Sequence, residues 1–350
     1  AAAAEQLDGW REAVSILPGI DPSWGRGWLL EGRLARMQAR TDAAEQAAAR
    51  ALAAAERFGW LSERAAALLE QGILARHLGR VADSEALLRT AVQVVGDDTA
   101  LRAACGEELG LTLLRQGERA RAAAALETAR VAYTAVGDPL GLGRSLFGLA
   151  RAHLQAGETD AARRRNESAR AAFEAGGARG AVATCRIMDG ELARQAGDLE
   201  AAAEHYRAAL KLFESIGAAN ATYARLNLGF TLLEADRFDE AWAPLESALA
   251  ELGPQGARVA QAATRAGLLP IAAASGDWYS FDAHVVALAE LLEASDLSDV
   301  DTARLSEKGA REALKAGDVL RARRAATLAV EMWSRLGHGD KAAELLALVG

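Results

Sequence analysis

The stretch Gly79-Arg80-Val81-Ala82-Asp83 decides the fold, because it returns in degenerate form down most of the chain. It reappears as Gly117-Glu118, Gly157-Glu158, Gly197-Asp198, Asp236-Arg237-Phe238-Asp239, Gly276-Asp277 and Gly317-Asp318, at separations of 38 to 41 residues. An apolar helical pattern precedes each signal and an Ala-rich one follows it. A glycine at a helix end takes the left-handed conformation that stops the helix. The reading is a helix–turn–helix unit of roughly 40 residues repeated about eight times. An array of that kind is one body whose units contact mainly their neighbours, so the length of 350 residues does not imply two ordinary domains.

Composition agrees. Hydrophobic residues make up 51% and aromatics only 5%. Alanine supplies the difference, and it favours helices and lets them approach closely. Six prolines suit long helices, and many of the 33 glycines fall at unit ends. The net charge of −8 argues against a nucleic-acid grip. Cys105 and Cys185 lie two units apart, too far for a bridge, and are read as reduced thiols. No membrane span and no secretory leader is legible. These features point to the cytoplasm. The chain opens without methionine, straight into a helical pattern, and is read as part of a larger protein.

The clearest unit runs over residues 223–254. Arg225-Leu226-Asn227-Leu228-Gly229-Phe230-Thr231-Leu232-Leu233-Glu234 forms its first helix, and Ala235-Asp236-Arg237 its turn. The second helix carries Phe238, Ala241, Leu245, Ala248 and Leu249, and Gly253-Pro254 is expected to end it. Gly229 and Ala241 are small where the two helices should cross. The equivalent position of the first helix is Gly32, Gly72, Gly110, Ala150, Gly190, Gly229, Leu269 and Ala310 along the chain. In the second helix it is Ala44, Ser84, Ala122, Ala162, Ala202, Ala241, Phe281 and Ala322. Leu269 and Phe281 break the rule, and Pro270 predicts a kink or break in the seventh unit.

The order Leu228-Gly229, Leu232, Phe238, Ala241, Leu245, Ala248, Pro254 resembles the tetratricopeptide repeat. The units are longer than is usual for that family, and the excess ends in a recurring aromatic: Tyr133, Phe173, Phe213 and Trp333. Such units look like those of the C-terminal sensor regions of bacterial maltose-regulator-type activators, nucleotide-switch ATPases and repeat-tailed kinases. The resemblance implies an all-α, right-handed superhelical solenoid of antiparallel helix pairs, with about eight repeats and a C-terminal capping helix. The expected organisation is 1–27 as an N-terminal cap or the end of an upstream element, 28–338 as the array, and 339–350 as the capping helix. Trp10, Trp24 and Trp28, with Pro18, Gly19 and Pro22, mark the N-terminal end.

Chemistry is sparse. No phosphate loop occurs, and Gly141-Leu142-Gly143 is read as a turn between units rather than a dinucleotide site. His77, His153, His205, His284 and His338 show no metal-ligand spacing. The runs Arg163-Arg164-Arg165 and Arg321, Arg323, Arg324 are read as solvated faces paired with nearby acids. No catalytic residue, cofactor or metal is expected.

The resemblance places the first helices on the inner, concave surface. The side chains facing it would include Arg76, Glu107, Arg115, Arg144, Phe147, Arg151, Met188, Glu191, Arg194, Tyr223, Asn227 and Phe230. Arginine forks suit carboxylates, so an acidic protein or peptide segment is the expected partner. The function implied is a non-catalytic interaction scaffold, the partner-sensing region of a larger bacterial signalling protein. The alternative is a solenoid that senses a small molecule for a transcription activator.

Overall fold

The computed structural model describes residues 21–217, 221–255, 257–294 and 298–350. Trp10, Pro18 and Gly19 lie outside them. Among the described residues the chain forms seventeen helices and no strand. In order they are α1 (Ser23–Met37), α2 (Thr41–Phe58), α3 (Leu61–His77), α4 (Val81–Val94), α5 (Thr99–Arg115), α6 (Arg119–Val136), α7 (Pro139–Gln155), α8 (Thr159–Ala175) and α9 (Arg179–Gln195). They continue as α10 (Leu199–Ser215), α11 (Ala221–Glu234), α12 (Phe238–Gln255), α13 (Arg258–Ser275), α14 (Trp278–Glu293), α15 (Val300–Lys315), α16 (Val319–Arg335) and α17 (Gly339–Val349). Odd-numbered helices from α1 to α15 are the first of each pair, even-numbered ones the second. The chain is a helical repeat solenoid.

The turns are built as the punctuation implies. Gly79 has φ 78° and Gly117 φ 79°, and the lapses at Ala39 and Asp236 keep the same left-handed geometry at φ 56° and 55°. Asp98, Asp138, Asp198, Asp277 and Asp318 then cap helices by accepting from backbone N–H groups.

The crossing positions are also as read. All eight second-helix positions, from Ala44 to Ala322, are at most 3% exposed. A Cβ placed on Gly72 would lie 2.6 Å from Leu88 Cγ, on Gly110 2.6 Å from Leu126 Cγ, and on Gly229 2.5 Å from Leu245 Cγ. The leucine sixteen residues on therefore fills the space each glycine leaves. The long-unit aromatics Tyr133, Phe173, Phe213 and Trp333 are all buried.

Three local expectations are corrected. Gly141 and Gly143 are not a turn but lie inside α7. Tyr133 crosses at Gly141, and a Cβ on Gly143 would lie 2.6 Å from the Phe173 ring, so these glycines make room for aromatics of α6 and α8. Helix α12 does not end at Gly253 but runs to Gln255. Pro270 does not break α13, which is continuous from Arg258 to Ser275.

The seventh repeat departs in another way. The first helices α3, α5, α7, α11 and α13 each pack on the second helix before them. Helix α15 instead packs along α13 and makes almost no contact with α14. A Cβ on Gly309 of α15 would lie 2.6 Å from Leu269 Cβ. The bulky residue at the seventh crossing position thus meets a glycine of the eighth repeat.

The chain divides into two compact units, Ala1–Ala181 and Val182–Gly350. In the second, one hydrophobic cluster extends from Ala202 to Val349. In the first, buried apolar residues form several smaller clusters. Helix α17 packs on α16, burying Ala342, Leu345 and Val349. Arg323 Nε donates to the Val349 carbonyl at 2.7 Å, and the Lys341 ammonium lies 4.1 Å from the Trp333 ring centroid.

Candidate partner-binding face

Each of the twelve side chains singled out from sequence lies on a first helix. The structure shows which of them are committed to internal contacts. In the first unit Glu107 is 2% exposed and is the centre of a buried network. It accepts from Tyr133 Oη at 2.8 Å and from Arg144 Nε at 2.7 Å, and the Arg144 guanidinium lies 5.8 Å from the Tyr133 ring centroid. Burial pushes the Glu107 carboxyl above the usual carboxylate range, while the Arg144 guanidinium and the Tyr133 hydroxyl pull it back. Burial, with Glu107 beside it, also raises the Tyr133 phenol.

Arg76 pairs with Glu108. Arg115 donates from Nη1 to the Arg76 carbonyl at 2.7 Å and is otherwise exposed. Arg151 is exposed and Phe147 half-buried. The structure therefore brings Glu107 and Arg144 into one cluster and Arg76 beside Arg115. Phe147 and Arg151 stay on the face of α7.

Sequence reasoning missed the carboxylates that hold the arginines. Arg26 Nε lies 2.9 Å from Glu63, and Arg33 Nε lies 2.5 Å from Glu70, which Arg36 also approaches at 3.3 Å. The pairs Arg26/Glu63, Arg33/Glu70 and Glu107/Arg144 are each 37 residues apart. That recurrence was a usable signal: opposite charges one repeat apart on the same helix face.

In the second unit Arg194 Nη1 donates to Glu234 at 3.1 Å, and Arg304 Nη1 donates to the same oxygen at 2.6 Å. Lys308 Nζ donates to Asp236 at 2.5 Å and lies 5.5 Å from the Phe238 ring centroid. Helix α15 of the eighth repeat is thereby tied to the sixth. Arg304 stands six residues before its crossing residue, as Arg144 does, and that equivalence was visible in the alignment. Met188 is buried, and Phe230 is half-buried against the hydrophobic core. Glu191 and Asn227 are half-buried, and Tyr223 is 62% exposed.

Other features are structural. Arg321 and Arg324 pair with Asp282 at 2.8 and 2.6 Å, and Arg165 approaches Glu127 at 3.8 Å, as read for the basic runs. Cys105 and Cys185 are buried free thiols, and burial pushes the Cys105 thiol up to about 12. Such a thiol is a poor nucleophile at neutral pH. A groove of about 530 Å³ opens between α2, α3 and α4, with Leu74, Ala75 and Leu87 in its wall and the Arg80–Glu45 pair at its side. Among the described residues no helix is long and apolar enough to cross a membrane.

No curated protein sequence resembles the chain closely enough to mark a relative. Solved structures do. A signal-transduction ATPase with numerous domains and a tetratricopeptide repeat sensor, from Pyrococcus horikoshii, is 12% identical over 99% of this chain and 54% of its own, with a TM-score of 0.73. A Rap protein complexed with competence and sporulation factor is 13% identical over 98% of this chain and 99% of its own, TM-score 0.63. The apo form of the quorum sensor NprR from B. thuringiensis is 14% identical over 99% and 91%, TM-score 0.56. At these identities the likeness is one of fold. The sequence pattern of the tetratricopeptide repeat matches residues 29–98, 107–177 and 187–257, more than half of the chain, and the chain belongs to the tetratricopeptide repeat family.

Proposed function

We propose that the chain is an interaction scaffold that holds a protein or peptide segment on its first helices, as the partner-sensing part of a larger bacterial signalling protein. The observation that carries this reading is Arg115. One N–H of its guanidinium goes to the Arg76 carbonyl, no carboxylate among the described residues holds it, and the side chain stays exposed. Phe147 and the exposed Arg151 lie on the next first helix. An arginine fork beside an aromatic suits an acidic segment with an apolar anchor. The Rap complex and the ATPase with a repeat sensor, similar in fold, lend the reading support.

A fluorescent twelve-residue peptide alternating glutamate with leucine, titrated against the chain and followed by anisotropy, tests it. The glutamate peptide should bind at least tenfold more tightly than its glutamine counterpart, and Arg115→Ala with Arg151→Ala should remove the difference. Equal binding of both peptides, unchanged in the double variant, would remove the acidic-segment reading.

The groove between α2, α3 and α4 favours a second reading, a solenoid that senses a small molecule for a transcription activator. Its volume of about 530 Å³ and its mixed apolar and charged lining are those of a metabolite site. Metabolites that raise the melting temperature by several degrees, with the shift lost in Ala49→Trp, would support it. A panel giving no shift would count against it.

A further inference from the structure

Arg194 lies three residues after Glu191 on α9, the natural spacing for a local ion pair. Its guanidinium turns instead to Glu234, which Arg304 also holds. Glu191 is left half-buried, and among the described residues it has no hydrogen bond or ion pair. A carboxylate drawn partly out of water without a donor is destabilising.

On the next first helix, α11, Tyr223 is 62% exposed. Asn227 is half-buried, and its side-chain amide makes no hydrogen bond among the described residues. Counted from the crossing glycines Gly190 and Gly229 at about 100° per residue, Glu191 stands about 100° round its helix, Tyr223 about 120° and Asn227 about 160° round theirs. The three therefore face one side. A Cβ on Gly190 would lie 2.8 Å from the Tyr206 ring, so the ring crosses α9 at that glycine. Arg194, Glu191 and Tyr223 all lie within electrostatic reach of the Tyr206 hydroxyl.

We propose that this patch of the second unit receives the cationic side chain of a lysine or arginine in a bound peptide. Glu191 supplies the opposing charge, Tyr223 a ring face over which a cation is held, and Asn227 a carbonyl acceptor. An acidic side chain is refused there, because it would meet Glu191 while Arg194 and Arg304 are committed to Glu234. The patch rests on the scaffold reading and adds the chemistry of one recognised residue.

The test selects phage-displayed random twelve-residue peptides on the full chain and repeats the selection on Glu191→Gln. That variant keeps the side-chain shape, and an unchanged melting temperature verifies its fold. Peptides recovered on the parent chain should share a lysine or arginine at a fixed place. The Glu191→Gln chain should bind them at least tenfold more weakly, and Glu191→Lys should prefer versions with glutamate at that place. Recovered peptides without a shared basic residue, or held equally by Glu191→Gln, overturn the cation patch and leave the scaffold reading standing. A chain that recovers no peptide overturns both.

Discussion

The glycine positions of α5 show how closely single residues are tuned. A Cβ on Gly110 would lie 2.6 Å from Leu126 Cγ and 3.2 Å from the Ala122 carbonyl oxygen, and a backbone oxygen cannot step aside. Overpacking of that kind costs about 1–3 kcal/mol, against about 1 kcal/mol gained from the better helix propensity of alanine. Gly110→Ala should therefore destabilise the chain by up to about 2 kcal/mol, read as a lower urea midpoint. Gly106, one turn earlier, has only ordinary neighbours at 3.7 and 3.8 Å. Gly106→Ala should accordingly stabilise by up to about 1 kcal/mol. A destabilised Gly106→Ala would mean that α5 is packed differently. His284 offers a titration at the same scale. Burial, then the Arg265 charge, lowers its imidazole from 6.5 to about 4, with Asp277 opposing. Its Nδ1 has no hydrogen-bond partner among the described residues. Between those two values the unfolded chain takes up a proton that the folded chain does not. The contribution of His284 is thus complete above pH 6.5 and is lost as the pH falls toward 4. Urea midpoints at pH 7 and pH 5 should fall more for the parent chain than for His284→Gln. Parallel falls would show that His284 is not the group responsible.

Among the elements, α15 stands apart. A first helix normally rests against the second helix before it, but α15 lacks that support from α14. Besides its packing on α16, it is held by the close fit of Gly309 against Leu269 and by Arg304 and Lys308, which reach Glu234 and Asp236 of the sixth repeat. These cations are partly exposed, and each such pair contributes about 0.2–1 kcal/mol. Removing both, in Arg304→Ala with Lys308→Ala, should loosen α15 by about 1 kcal/mol. Amide exchange within residues 300–315 should then quicken several-fold while α12 is unaffected. Exchange that quickens equally in α12 would mean the pairs stabilise the whole unit rather than the docking of one helix. Sequence alone pointed at this region for the right residues, Leu269 and Phe281, and gave the wrong consequence. Pro270 sits inside α13, which stays continuous and is buried along most of its length.

At the scale of the molecule, what could be read from sequence divides along a physical line. Turns were legible because a left-handed residue demands glycine or a tolerant substitute, and crossings were legible because close backbones demand small side chains. Both constraints act within one repeat. Gly141 and Gly143 were misread as a turn because the aromatics they admit, Tyr133 and Phe173, come from other helices. The candidate face was located on the first helices. Its committed groups were only partly legible: Arg194 and Glu234 stand one repeat apart, but nothing in the order of residues says that Glu234 also holds Arg304, 70 residues on. The same local character bears on unfolding. A chain whose units contact mainly their neighbours need not melt as one. The second unit joins most of its core, from Ala202 to Val349, in one large cluster with a small one beside it around Phe213, whereas the first divides its core into several small clusters. Apolar burial without interruption favours cooperative protection, so the second unit should hold longer in denaturant. Amides of α10, α13 and α16 should stay protected at urea concentrations where those of α2, α4 and α6 already exchange, and the calorimetric enthalpy should exceed the van't Hoff value. Equal enthalpies, with all six helices losing protection together, would instead make the whole chain one cooperative body and the continuity of the second core irrelevant to its stability.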